Sequence, residues 1–103
     1  MIKVSVMYPN NPESTFNIEY YCNEHMPLVG KLFGKVMKSS AVDYGLAGAA
    51  PGEAAPFIAI GHMVFDSVES FQHAFALKAE EIMTDLPNFT NIQPQIQISE
   101  IKI

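Results

Sequence analysis

Residues 57–65 read Phe-Ile-Ala-Ile-Gly-His-Met-Val-Phe, and this stretch decides how the chain folds. Only Gly61 and His62 interrupt the apolar run, so it lacks the polar alternation of a strand that has one face in water. We therefore predict a strand whose two faces are both covered by other parts of the protein.

Three further strands are predicted around residues 57–65. Residues 2–8 alternate with the period of a strand, and the pattern breaks at the Pro-Asn-Asn-Pro run of residues 9–12. Residues 42–46 alternate again and predict a second strand. The isoleucines of residues 96–103 predict the last one.

Two helices are predicted, one between the first two strands and one before the last. The first begins at Asn17, whose side chain can cap the first turn. Pro27 is expected to kink or end its first piece, after which the helix resumes towards Val36. The second follows residue 66 or 67, carries an apolar stripe of helical period and ends at Pro87. The order β-α-β-β-α-β is that of a ferredoxin-like α+β fold, with a four-stranded antiparallel sheet and two helices on one face.

The second face of the sheet is also expected to be covered. Two helices cover only one face, whereas the side chains of residues 57–65 are apolar towards both. The simplest cover is a second copy of the same sheet, packed by two-fold symmetry. We therefore predict a homodimer whose sheets face each other. The alternative is a monomer whose central strand carries more apolar surface than usual.

The composition limits the ligands and partners that suit this chain. Its 103 residues form one domain, residues 1–103, with six Lys, no Arg and 11 Asp+Glu, a formal net charge of −5. Without arginine, the usual bidentate partner of carboxylates and phosphates is absent, and nucleic acid and anionic membranes repel an acidic protein. We expect a neutral, aromatic or weakly polar small molecule as ligand, and no nucleic-acid or membrane partner.

The single cysteine, Cys22, excludes an intramolecular disulfide, which fits a reducing compartment. The chain passes from Met1 directly into a strand pattern, and no apolar run approaches the length that spans a bilayer. We predict a soluble cytoplasmic protein.

The first helix concentrates reactive side chains. Residues 17–29 read Asn-Ile-Glu-Tyr-Tyr-Cys-Asn-Glu-His-Met-Pro-Leu-Val. Residues four apart share a helix face, so Tyr21 and His25 lie one above the other. Because imidazole titrates near neutral pH, we predict His25 as the catalytic acid–base group, with Tyr21 binding a ligand carbonyl or orienting the ring. The alternative is that His25 donates to a backbone carbonyl beside Pro27 while Tyr21 packs in the core.

Other reactive combinations in the sequence are weaker. Cys22 neighbours His25 at three residues, but no third residue completes a nucleophile–base set. His25, Cys22 and Glu24 do not share one face as metal ligands on a helix would, so no metal is expected. The glycines of residues 45–52 precede no helix start of the kind that binds phosphates or dinucleotides, so no cofactor is expected.

The chain resembles the ethyl tert-butyl ether degradation (EthD) family of the dimeric α/β-barrel superfamily. The resemblance covers nearly the whole chain and rests on Met7-Tyr8-Pro9, on Phe16 through Tyr20-Tyr21 to His25-Met26-Pro27-Leu28-Val29, and on Asp85-Leu86-Pro87-Asn88-Phe89-Thr90-Asn91. Asn17 stands where the family usually has Asp, which keeps the helix cap and loses only a charge.

The resemblance implies a dimeric α/β barrel with a pocket in each subunit between the helices and the sheet. Relatives in the superfamily include cofactor-independent oxygenases, polyketide cyclases, lactone isomerases and decarboxylases, while the EthD family's own part in ether breakdown is accessory or undefined. The implied function is therefore binding of a hydrophobic or carbonyl-bearing compound, with acid–base chemistry of one of these types centred on His25. The alternative is a non-catalytic ligand-binding or accessory protein of a degradation pathway.

Four further residues are predicted to bind a ligand in such a pocket. Tyr8 is at the end of the first strand, on the side of the strand that is expected to line the pocket. His62 shares strand parity with β-branched residues expected to face the helices, so it is predicted to point towards the same cavity; the alternative is a core or interface histidine. Tyr44 or its neighbour Asp43 can reach the pocket, but not both, because they face opposite ways in a strand. Phe89 is predicted at the pocket rim.

Overall fold

A four-stranded antiparallel sheet is the base of the fold. In the computed structural model, which describes all 103 residues, its strands are β1 (Ile2–Pro9), β2 (Ser39–Tyr44), β3 (Phe57–Phe65) and β4 (Gln95–Glu100). The strand order is β2-β3-β1-β4, so the apolar stretch that forms β3 lies inside the sheet, next to β1. Along β1 and β3, Ile2 lies opposite Phe65 and Tyr8 opposite Ala59.

Two helical regions pack against this sheet. They comprise α1 (Ile18–Tyr20), a π-helical turn (Tyr21–His25), α2 (Met26–Phe33) and a 3₁₀ turn (Gly34–Val36), then α3 (Val68–Asp85) and a 3₁₀ turn (Leu86–Asn88). The side chains of Asn17 and Ser67 cap the two regions by accepting from backbone N–H groups of the first turn. The predicted ferredoxin-like α+β fold, with order βαββαβ, is confirmed. None of the helices combines the length and apolar character that a bilayer-spanning segment requires.

The first helical region continues through Pro27, so the expectation that Pro27 ends its first piece is wrong, whereas the predicted continuation of the helix towards Val36 is confirmed. Pro27 lies in the first turn of α2, where a residue without an N–H is tolerated. The irregularity precedes it, because the Met26 N–H bonds to the Tyr21 carbonyl five residues earlier, which makes a π turn. Tyr21 and His25 stay on one side of this wide turn, and both are buried.

The burial of β3 shows which of its residues face the helices. Every second residue from Ala59 to Phe65 is buried, whereas the residues between them, including His62, are only half-buried on the other face. The prediction that the β-branched residues and His62 face the helices is wrong. The reason is local: a Cβ atom at Gly61 would collide with the Tyr21 hydroxyl, so the helix-facing side needs a residue without a side chain at this point.

Two buried clusters fill the space between helices and sheet. The larger one joins Val4 and Phe65 of the sheet to Phe33 of α2 and Phe71 of α3. The smaller one lies at the other end and consists of Tyr8, Tyr21, Ala59 and Phe89. His25 packs against Tyr21 and Phe89 of this second, tyrosine-containing cluster.

Candidate functional site

An internal cavity of about 60 Å³ lies between the helices and the sheet. Its lining contains no charged residue, and its polar side chains are those of His25, Tyr8 and Tyr21. These three are buried, whereas Met83 and Ile96, which also border the cavity, are 41% and 51% exposed. The cavity therefore has a buried polar end and an apolar side that approaches the surface.

The imidazole of His25 is held by a carboxylate from the far end of the second helical region. Nδ1 of His25 lies 2.8 Å from Oδ2 of Asp85, the last residue of α3. Burial lowers the pKa of His25, and the hydrogen bond to Asp85 offsets this only in part. His25 is therefore a neutral imidazole near pH 7, and its Nδ1 donates to the acceptor-only carboxylate.

Asp85 is fixed by two further hydrogen bonds. Its Oδ1 accepts from the Tyr20 hydroxyl at 2.7 Å and from Nδ2 of Asn88 at 2.9 Å. Burial alone would raise the pKa of Asp85, but the hydrogen bonds from Asn88, Tyr20 and His25 outweigh it and lower the pKa. Asp85 is thus an ionised carboxylate at neutral pH, and both of its oxygens are engaged.

The second ring nitrogen of His25 is free. Nε2 has no hydrogen-bond partner within the protein, although every fully buried side-chain nitrogen or oxygen has one, so Nε2 is not sealed from the surroundings. His25 lines the cavity while Nδ1 is occupied by Asp85. Nε2 is therefore the nitrogen available to a molecule in the cavity, with a lone pair that can accept a proton.

Tyr21 and Tyr8 provide two phenol groups at the same end of the cavity. The Tyr21 ring stacks on His25, with centroids 5.6 Å apart and planes 16° apart, rather than hydrogen-bonding to it. Burial raises the pKa of Tyr21 to about 12, partly offset by the neighbouring Tyr8 hydroxyl, and burial raises the pKa of Tyr8 further above its ordinary value. Both phenols keep their protons at neutral pH and can act as hydrogen-bond donors.

Phe89 packs against the imidazole of His25 and is buried, so it does not form an exposed rim of the cavity. Its ring centroid is 4.6 Å from that of His25 and 5.1 Å from that of Tyr21. It does not line the cavity, but it borders a polar surface groove beside Asn88. Phe89 therefore packs against the His25 ring without lining the cavity, and its ring centroid is also 6.0 Å from that of Tyr8.

The structure does not bring the other two predicted ligand-binding residues to this cavity. His62 lies on the opposite face of the sheet, where its Nε2 is 2.8 Å from Oδ2 of Asp43 and its Nδ1 is 3.5 Å from the Ser5 hydroxyl. The prediction that His62 points into the cavity is therefore wrong. Tyr44, at the end of β2, is half-exposed and does not line the cavity either.

Three residues of the site were not predicted: Asp85, Tyr20 and Asn88. Asp85 and Asn88 belong to the Asp-Leu-Pro-Asn-Phe segment that carries part of the family resemblance, which was the only signal for them in the sequence. Cys22, three residues before His25, is exposed and has no hydrogen bond to it.

The family model of the EthD domain matches residues 13–93 of the chain. The chain belongs to the EthD family. The matched segment of this EthD protein contains all four members of the hydrogen-bonded group, from Tyr20 and His25 to Asp85 and Asn88.

Two solved structures resemble this EthD protein over almost its full length. It is 40% identical to an EthD-like protein from Ralstonia eutropha JMP134, with a TM-score of 0.96 over 99% of this chain and 92% of that one. It is 21% identical to an EthD family protein from Bacillus halodurans C-125, with a TM-score of 0.67 over 98% of each chain, which shows the shared fold. No curated protein matches the chain significantly.

Proposed function

We propose that this EthD protein binds a small, uncharged carbonyl compound in the cavity and moves a proton at the carbon next to the carbonyl, with Nε2 of His25 as the base. The observation that carries the proposal is the free Nε2 of a buried, neutral imidazole beside an apolar cavity, with Asp85 holding the opposite nitrogen. Such a reaction needs a base and a donor to the carbonyl oxygen, and the site offers both.

The proposed step moves one proton and leaves the electron count unchanged. Nε2 takes the proton from the carbon next to the carbonyl, and the C–H electron pair moves towards the oxygen to give an enolate. The Tyr21 hydroxyl donates a hydrogen bond to that oxygen. The imidazolium keeps its Nδ1–H bond to Asp85, whose negative charge stabilises it. Return of the proton to the same or another carbon completes an exchange or an isomerisation.

The lining of the cavity supports an uncharged ligand. No Lys or other cation borders it, and the nearest ionised group to His25 is the carboxylate of Asp85. An anionic ligand would lose its hydration without gaining a partner of opposite charge. A volume of about 60 Å³ holds roughly four to six water-sized groups. We propose that the carbonyl end enters, while a longer apolar part extends past the exposed Met83 and Ile96.

The test begins with a panel of small ketones, diketones, lactones and phenols, each paired with a carboxylate counterpart. Binding is measured by the thermal shift of the protein. Each carbonyl compound that binds is then kept with the protein in D₂O, and NMR follows deuterium incorporation next to the carbonyl. The variant is His25→Ala, and the matched control is His73→Ala, which removes an exposed imidazole on α3 outside the cavity.

We expect neutral carbonyl compounds to bind better than their carboxylates and to take up deuterium with the native protein and with His73→Ala. His25→Ala is expected to lose this exchange. Binding by the native protein without exchange would contradict catalysis and favour the alternative, a non-catalytic ligand-binding or accessory protein of a degradation pathway. Undiminished exchange with His25→Ala would contradict the role of His25.

We also propose that two copies of the chain associate through the sheet face that carries no helices. Ile58, Ile60 and Val64 of β3 lie on that face. Light scattering at micromolar concentration is expected to give twice the mass of one chain. The Ile60→Asp variant is expected to give the mass of a single chain. A single-chain mass for the native protein would contradict the proposal.

A further inference from the structure

We propose that Tyr20 and Asn88 act through Asp85 as positioning residues that keep the proton of neutral His25 on Nδ1. The inference rests on the proposed function, because it explains how Nε2 is kept free to act as a base. It concerns the ligand-free protein, however, so its test is independent of any reaction.

The two oxygens of Asp85 have different hydrogen-bond partners. Oδ2 faces Nδ1 of His25 at 2.8 Å, while Oδ1 accepts from the Tyr20 hydroxyl and from the Asn88 amide, at 2.7 and 2.9 Å. An ionised carboxylate can only accept, so the hydrogen of the imidazole must lie on Nδ1. With both oxygens held, the carboxylate cannot rotate away from the imidazole without breaking other hydrogen bonds.

The rings strengthen the same arrangement. Tyr20 stacks on Phe89, with centroids 6.2 Å and planes 20° apart, and Phe89 in turn packs against His25 at 4.6 Å. The adjacent tyrosines of the chain thus have different positions: Tyr21 lines the cavity, whereas Tyr20 reaches over Phe89 to Asp85. Tyr20 has no contact with the cavity, which makes it a positioning residue rather than a catalytic one.

The asymmetry of Asp85 predicts an unusual effect of Asp85→Asn. Two donors point at the Oδ1 position, so the amide oxygen of the new side chain is expected there and the NH₂ group is expected at the Oδ2 position. That NH₂ group would donate to Nδ1, which must then carry the lone pair. The proton would move to Nε2, and the base that faces the cavity would become a donor.

The experiment reads the tautomer directly. Protein labelled with ¹⁵N-histidine is studied by two-bond ¹H–¹⁵N correlation near neutral pH, which distinguishes a protonated ring nitrogen from an unprotonated one. The signals of the three histidines are assigned with His25→Ala, His62→Ala and His73→Ala. We expect protonated Nδ1 in the native protein, protonated Nε2 in Asp85→Asn, and a mixture when Tyr20→Phe and Asn88→Ala are added to Asp85→Asn.

Protonated Nε2 in the native protein, or an unchanged tautomer in Asp85→Asn, would overturn the inference. Tyr20→Phe provides a second reading if Asp85→Asn does not fold, because it keeps the stacked ring and removes only the hydroxyl. With one donor fewer, Asp85 presents more negative charge to His25, so the titration midpoint of His25 in NMR is expected to rise. A midpoint equal to that of the control Tyr44→Phe would contradict a role for the Tyr20 hydroxyl. Failure of the ketone-exchange test would refute the proposed reaction and leave these tautomer results intact.

Discussion

His25 and Asp85 are 60 residues apart in the chain, and a hydrogen bond of 2.8 Å joins them where the first helical region meets the end of α3. The side chain of His25 is 4% exposed and that of Asp85 12%. Nδ1 is thereby bonded to Asp85, whereas Nε2 has no partner within the protein, and His25 lines an apolar cavity. The reactivity proposed for this EthD protein depends on that division.

The burial of His25 predicts a pH dependence of stability. Its pKa in the folded protein is lowered, so below the ordinary imidazole pKa of about 6.5 the unfolded chain takes up a proton that the folded protein does not. The free energy of unfolding should therefore fall as the pH drops from about 7 towards the lowered pKa of His25. Urea denaturation over this range measures it.

The matched variants are His25→Gln, which should flatten this part of the profile, and His73→Ala, which should not. His73 is exposed on α3 and serves as the control for loss of an imidazole. Equal slopes for the native protein and His25→Gln would show that another group is responsible.

The contact between Gly61 and Tyr21 predicts that Gly61→Ala is destabilising. The added Cβ would collide with the Tyr21 hydroxyl, so the tyrosine or the strand must shift, at a cost of about 1–3 kcal/mol. Gly30→Ala is the control. Gly30 lies within α2, and a Cβ atom there would be at an ordinary 3.5 Å from Cε of Met37. Gly30→Ala is expected to stabilise the protein by about 0.5–1 kcal/mol. Thermal denaturation of both variants compares them, and a neutral Gly61→Ala would contradict the packing of Tyr21 described above.

Local sequence patterns predicted the helical side of the site, because spacing of four residues places Tyr21 and His25 together even through a π turn. Asp85 could not be predicted in the same way. Its contact with His25 depends on where α3 ends relative to the first helical region, and sequence periodicity does not indicate such a tertiary contact. The same holds for its partners Tyr20 and Asn88.

The fold as a whole was predictable because alternation, caps and prolines mark each element. The face of β3 was not. When a strand is apolar on both sides, its pattern does not indicate which side meets the helices, and the deciding feature was the space needed by the Tyr21 hydroxyl over Gly61. The predicted orientation of His62 was wrong for this reason.

The proposed donor role of Tyr21 predicts that Tyr21→Phe impairs exchange more than binding. The ring that stacks on His25 is kept, while the hydroxyl that would stabilise an enolate oxygen is lost. Loss of one such donor lowers the rate by about 10²- to 10³-fold. Deuterium exchange of a bound ketone and its dissociation constant provide the two readings, with Tyr44→Phe as the exposed control. Equal losses in binding and rate would indicate a packing role only.

The position of His62 predicts that His62→Ala leaves the cavity unaffected. Its imidazole pairs with Asp43 on the opposite face of the sheet and does not line the cavity. The dissociation constant and exchange rate of a ketone that binds the native protein should therefore stay unchanged. A loss as large as that of His25→Ala would indicate that the reactive site lies on the face of the sheet that carries His62, which would contradict the proposed site.

The central claim is that the cavity beside His25 holds the ligand, and a crystal structure with the tightest-binding neutral ketone tests it most directly. We predict the carbonyl oxygen within hydrogen-bond distance of the Tyr21 hydroxyl, the adjacent carbon next to Nε2 of His25, and Nδ1 still bonded to Asp85. A ketone bound beside His62 and Asp43, with the cavity filled only by its own side chains, would contradict the account.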